Sequence, residues 1–133
     1  MKRLVVLFIL LLPLSAHGTS HFGSANHGSL AMSVAALIAT PERYDNKAVR
    51  VTGAWRYEFE GNVICLHRED LDFRLRENCP DYDLDPKMIK ATRKELSQFN
   101  GRYVIIEGLF NARTKSIARI WRIDPWLSSP SSK

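Results

Sequence analysis

Along residues 48–59 the chain alternates with period two. Val49, Val51, Gly53, Trp55 and Tyr57 fall on one side, and Ala48, Arg50, Thr52, Ala54 and Arg56 on the other. Successive side chains of a strand point to opposite faces, so this spacing predicts a half-buried strand with its large apolar residues inward. Glu60-Gly61-Asn62 reads as a turn, and the apolar run 63–67 as the hairpin partner. Residues 71–76 alternate again, with Leu71, Phe73 and Leu75 on one face, and predict a third strand. Residues 102–110 are apolar on both faces, as expected of a central strand, and 116–123 predict the last one.

The period becomes helical at two places. Leu30, Val34, Leu37 and Ile38 share a helical face behind a cap at Ser29 or Ser33. Thr40-Pro41-Glu42 is a second start signal. Asp85 and Pro86 read as the cap and first residue of an amphipathic helix with Ile89, Thr92, Leu96 and Phe99 inward. Asn100-Gly101 ends it. Two segments echo one another, aligning Val49 with Val104, Val51 with Ile106 and Gly53 with Gly108. A glycine inside each long strand predicts the bend of a curved sheet. Three strands, a helix and two strands are the order of an OB-fold. The expectation is therefore a mostly-β chain with some α: an OB-like five-stranded barrel, a helix between strands 3 and 4, and a short N-terminal helix. A half-open sandwich of the same elements is the alternative.

The N-terminus changes the picture. Lys2 and Arg3 precede an uncharged apolar run at 4–14, and Ala16 and Gly18 place small residues before a cut near Gly18, with a cut after Ala16 as the competitor. That is the form of a secretory signal peptide, too short for a membrane span. A retained interfacial anchor is the other reading. The predicted organisation is a signal peptide at 1–18, a flexible leader at 19–29, a single OB-like domain at 30–124 and a flexible tail at 125–133. Cleavage leaves roughly 115 residues, enough for one modest core. It also removes two cations, so the formal charge of +5 overstates the basicity of the mature protein. The expected location is periplasmic or secreted, with no membrane span after cleavage.

Three stretches carry a resemblance. They are SVAALIATPERYDNKAVRVTG, FEGNVICLHRED and NGRYVIIEGLFN, within residues 33–111. Leu37, Ile38, Pro41, Glu42, Tyr44, Lys47, Val49, Val51 and Gly53 match the first part of a pattern; Glu60, Gly61, Asn62, Leu66, Glu69 and Asp70 match the second. Asn100, Gly101, Tyr103, Val104, Glu107, Gly108 and Phe110 match the third. In these residues the chain resembles small exported, often lipid-anchored, functionally uncharacterised bacterial proteins. It departs from them at Asn46, where glycine is usual, and in lacking a cysteine for lipid attachment. The resemblance implies export and an OB-like fold, and it brings no catalytic residues.

Candidate chemistry gathers in residues 61–85. In an oxidising compartment the two cysteines, Cys65 and Cys79, are expected to pair. The closed loop of about 15 residues is worth roughly 3 kcal/mol in the chain-entropy model. Cys65, His67, Cys79 and Asp81 offer a competing set of metal ligands, but without the usual zinc spacing. Asp81, Asp83 and Asp85 imitate the start of a calcium loop, which fails at Pro86 and Thr92, where glycine and glutamate belong. Acids collected at a helix start explain them better. Glu69 and Asp70 are the one adjacent carboxylate pair beside a histidine, His67. Arg50, Arg56, Arg74 and Arg76 form the expected binding surface. Trp55, Tyr57 and Phe73 interleave with arginines but are assigned to core faces, so nucleic acid is not expected.

The resulting expectation is an exported, non-enzymatic binding module for a protein or cell-envelope component, without metal or cofactor. The alternatives are a small metal-dependent hydrolase or redox protein using His67, Glu69 and Asp70, and then nucleic-acid binding.

Overall fold

The computed structural model describes residues 21–25, 28–59 and 61–126. The segment read as a signal peptide lies outside the described residues. In chain order the elements are β1 (Phe22–Gly23), β2 (Leu30–Ser33), α1 (Val34–Ala39), a 3₁₀ turn (Pro41–Tyr44), β3 (Ala48–Arg56) and β4 (Val63–Cys65). There follow α2 (Arg68–Asp72), a second 3₁₀ turn (Arg76–Asn78), β5 (Asp81–Leu84), α3 (Arg93–Ser97), β6 (Tyr103–Asn111) and β7 (Ser116–Pro125).

The protein is mostly β, with a closed five-strand barrel and a few short helices. Starting at β3, the ring runs through β4, β5, β7 and β6 and returns to β3. Its neighbours are antiparallel except β5 and β7, which run parallel. The alternation of β3 is realised as expected: Val49, Val51 and Trp55 are fully buried while Arg50 is exposed. The barrel is filled by Trp55, Ile64, Tyr82, Ile106, Phe110 and Ile117, among others. Trp55 stacks on Tyr82 with centroids 4.2 Å apart. Burial, and then the nearby Tyr57, push the Tyr82 hydroxyl well above its ordinary pKa, so it stays protonated and donates to the Arg56 carbonyl at 2.9 Å.

The two long strands outrun their partners, and this explains the N-terminal segment. β4 meets β3 only from Ala54 onward, and β5 meets β7 only as far as Ile120. Each leaves an edge with unpaired backbone groups. β2 covers the first, pairing parallel with β3 from Leu30↔Val49 to Ser33↔Thr52. β1 covers the second, pairing Phe22 with Ile123 and Gly23 with Arg122. Phe22 also meets Phe99 edge-on at 6.0 Å. Residues expected to be a loose leader thus supply sheet pairing, and Ser29 Oγ donates to the buried Glu107 carboxylate. Leu30 belongs to a strand, so α1 is a short helix, capped by Ser33 Oγ accepting from Ala36 N.

Two further expectations are corrected. Residues 71–76 form no strand: Leu71 ends up on α2, Phe73 is 75% exposed, and the third strand of the barrel is β5. Three alternating apolar residues are too short a run to separate a strand from an amphipathic helical turn. The helix expected from Asp85 starts later. Asp85 instead organises a turn, accepting from Lys87 N through its side chain and from Ile89 N through its carbonyl. Thr92 is the true cap, exchanging hydrogen bonds with Glu95 in a Thr-x-x-Glu box that satisfies two orphan donors at once. Those bonds from Thr92 hold the Glu95 carboxyl below its usual range. Ile89, Leu96 and Phe99 are buried as expected.

The strand glycines serve close approach. A Cβ on Gly108 would run into the Arg119 carbonyl oxygen, and it sits beside a register shift between β6 and β7. A backbone atom cannot rotate aside as a side chain can. Gly108→Ala is therefore expected to cost about 2 kcal/mol, within the range for overpacking. A lowered urea midpoint at unchanged slope is the readout; an unchanged midpoint contradicts the close-approach account. At Asn46 the backbone takes φ +56°, the left-handed turn that glycine would otherwise supply.

Candidate functional site

The outer face of the β3–β4 hairpin carries Ala54, Val63 and Cys65, opposite in alternation to the inward Trp55 and Ile64. With Leu71 and Cys79 they form a second, small apolar cluster outside the barrel. The chain returns past β4 with Leu66 N donating to Asn78 O and Ile64 N to Pro80 O. These two bonds bracket Cys65 and Cys79, whose Cα atoms lie 4.1 Å apart, and the cysteines form the expected disulfide. The staple holds α2 and the following 3₁₀ turn down on the hairpin.

Asp70 organises the stapled loop. Its Oδ2 accepts from His67 N at 2.7 Å and its Oδ1 from Asn78 Nδ2 at 2.8 Å, while its carbonyl accepts from Leu75 N. The side chain is almost wholly buried, and both oxygens are committed to the loop. Glu69 beside it is exposed. The adjacent carboxylates are thus one internal brace and one solvated charge, an arrangement that does not suit paired acid–base work.

The candidate metal residues are likewise drawn apart. Asp81 pairs with Arg76 at 3.0 Å, Asp85 holds its own turn, Asp83 is exposed, and His67 leans on Asp70 at 3.6 Å. Among the described residues, no three of His, Cys, Asp and Glu group as a metal site.

Between the stapled loop and the β3–β4 turn lies a cleft of about 100 Å³. Val63, Cys65, Asp70, Leu71 and Cys79 make its buried base. Arg56, Glu58, Gly61, Arg74 and Arg76 make its sides and rim. Three of the four arginines expected on a binding surface meet here, from three different segments. Arg50 does not join them: it lies at the other end of β3, between Ala31 of β2 and Glu107 of β6.

The three differ in how they are held. Arg56 donates to the Leu71 carbonyl at 3.0 Å and pairs with Glu58 at 3.4 Å, so it is part wall and part clamp. Among the described residues Arg76 pairs only with Asp81, both side chains being well exposed, and such pairs are weak. Arg74 has no ion pair or hydrogen bond from its guanidinium among the described residues. Its backbone sits at φ +55°, an uncommon conformation for a residue with a Cβ.

The cleft residues that sequence reasoning missed are Glu58 and Gly61, which belong to a turn with no chemical signature, and Asp70 in its structural role. The residue Phe73, assigned to the core by its period, is exposed instead. No described helix is long and apolar enough to cross a membrane.

A closed five-strand barrel bearing a disulfide-stapled, arginine-rimmed cleft is the class of structure these observations define. Compared with known proteins, the chain matches no family model, no curated protein and no solved structure.

Proposed function

We propose that the chain is an exported, OB-like binding module that engages a protein or cell-envelope component through the cleft rimmed by Arg56, Arg74 and Arg76. The observation that carries this is the convergence of three guanidiniums on one stapled cleft beside carboxylates that are already committed. The strand order and the parallel β5–β7 closure, with α3 between β5 and β6, support the OB-like reading. The disulfide and the basic–apolar start of the chain support export, as does the resemblance of residues 33–111 to small exported bacterial proteins. The committed Asp70 and the separated metal candidates favour binding over hydrolysis. Trp55 lies inside the barrel, and the stapled loop covers the outer face of the hairpin, so an aromatic platform for bases gains no support there.

Cell-envelope extract passed over the immobilised protein tests the reading. Retained material is expected to elute as salt rises, because exposed charge pairs are screened. It is expected to fall about tenfold on Arg56→Gln/Arg74→Gln/Arg76→Gln, the effect of losing roughly 1.4 kcal/mol. Retention that ignores both salt and the substitutions would remove the cleft from the function.

A further inference from the structure

We infer that the cleft is a receptor for a terminal phosphate group, a phosphate monoester entering end-on; this rests on the binding reading above and names its ligand class. Size sets the first limit. A cleft of about 100 Å³ is smaller than the roughly 150 Å³ cavity that takes a benzene ring, and it suits one tetrahedral oxyanion. The base of the cleft is buried and its rim is exposed, so a group enters from one side and stops against Val63, Leu71 and the Cys65–Cys79 bridge. A chain end meets that shape better than a diester, which carries a substituent on two sides.

Charge sets the second limit. Arg56 is neutralised by Glu58, and both oxygens of Asp70 are taken by His67 N and Asn78 Nδ2. Arg76 has an exposed, exchangeable partner in Asp81. Arg74 has none among the described residues. One uncompensated guanidinium and one that can exchange its partner therefore face a small space whose floor is apolar apart from the already committed Asp70. Guanidinium forks match phosphate oxygens two at a time, and the buried base of the cleft raises the strength of such a pair.

The backbone of Arg74 supplies a third, independent observation. A residue held at φ +55° against its Cβ persists only when the surroundings over-determine it. Here the disulfide, the Asp70–Asn78 bond and the buried Leu71 do so. Strain of this kind concentrates where a side chain must point at a ligand. Glycine would fit the turn better, yet the position carries a cation that has no partner among the described residues.

That contrast provides the test. The disulfide-intact protein is titrated with glycerol 3-phosphate, inorganic phosphate and diethyl phosphate at low salt while the arginine Nε resonances are followed. Saturable shifts at Arg56, Arg74 and Arg76 are expected for the first two. Diethyl phosphate is expected to bind about tenfold more weakly, having fewer free oxygens for the forks. Arg74→Gly relieves the backbone strain and is expected to melt no lower than the parent, yet to lose about tenfold in phosphate affinity. Tighter binding of glycerol 3-phosphate than of inorganic phosphate marks a carried phosphate as the natural source, and equal binding marks the phosphate itself; both support the pocket. Shifts that do not saturate, that saturate at the same phosphate concentration in Arg74→Gly as in the parent, or that reach saturation as readily with the diester overturn it. If phosphate fails while the arginine variants still lose the envelope partner, only the ligand class is wrong. If both fail, the cleft is not a binding site.

Discussion

Trp55→Ala is expected to remove about 3–5 kcal/mol of stability, the range for truncating a fully buried large aromatic. The ring has no solvent exposure and lies in the middle of the barrel, stacked on Tyr82. Tyr82 is tied in turn to the Arg56 carbonyl, so the neighbours that would have to collapse into the void are themselves anchored. A void that cannot close keeps its full cost. The indole N–H, however, has no hydrogen-bond partner among the described residues. Trp55→Phe discards that unmet donor along with some volume, so its cost is expected to stay below about 1.5 kcal/mol. Urea denaturation followed by circular dichroism measures both. Equal losses for the two variants would mean that the indole nitrogen is satisfied after all and that the ring is held by more than packing.

Cys65→Ser/Cys79→Ser is expected to cost about 3 kcal/mol, the loop-closure entropy returned to the unfolded chain. Such a loss is a large share of the stability of a small domain. The folded state should change as well. The small cluster of Ala54, Val63, Cys65, Leu71 and Cys79 is what presses α2 onto the hairpin, and two of its five members are the bridge. Arg74 and Arg76 ride on the loop the bridge closes. The variant should therefore keep the barrel signals of β3, β6 and β7 while the resonances of residues 68–78 lose their protection from hydrogen exchange. If stability falls by less than about 1 kcal/mol and the loop stays protected, Asp70 and Leu71 are holding it without help from the bridge.

Legibility in the sequence followed the length and the surroundings of each element. β3, β6 and β7 are long, their apolar residues recur over many positions, and their reading needs no neighbour. The stretch 71–76 is short, and there the same alternation serves a helical turn whose other support, Asp70, cannot be recognised until Asn78 and His67 N are brought to it. The true start of α3 was written in the sequence as Thr92-Arg93-Lys94-Glu95, but Asp85-Pro86 is an equally good start signal when nothing shows that Asp85 is occupied by its own turn. The arginines were visible as residue types. Their grouping was not, because Arg50 and Arg56 share one face of one strand and only the partners of β3 at its two ends separate them.

By itself, then, the sequence determined a β-rich chain with two long strands that each carry a glycine, a cysteine pair and an excess of arginine near it, because hydrophobic period, glycine position and cysteine count are local properties of the chain. Tertiary structure alone decided that the N-terminal residues complete the sheet edges, that Asp70 is a brace, and that Arg56, Arg74 and Arg76 meet over one cleft while Arg50 stands apart. Those outcomes depend on which strand runs past the end of its partner and on which loop a covalent bridge holds down, and both are settled only when distant segments pack.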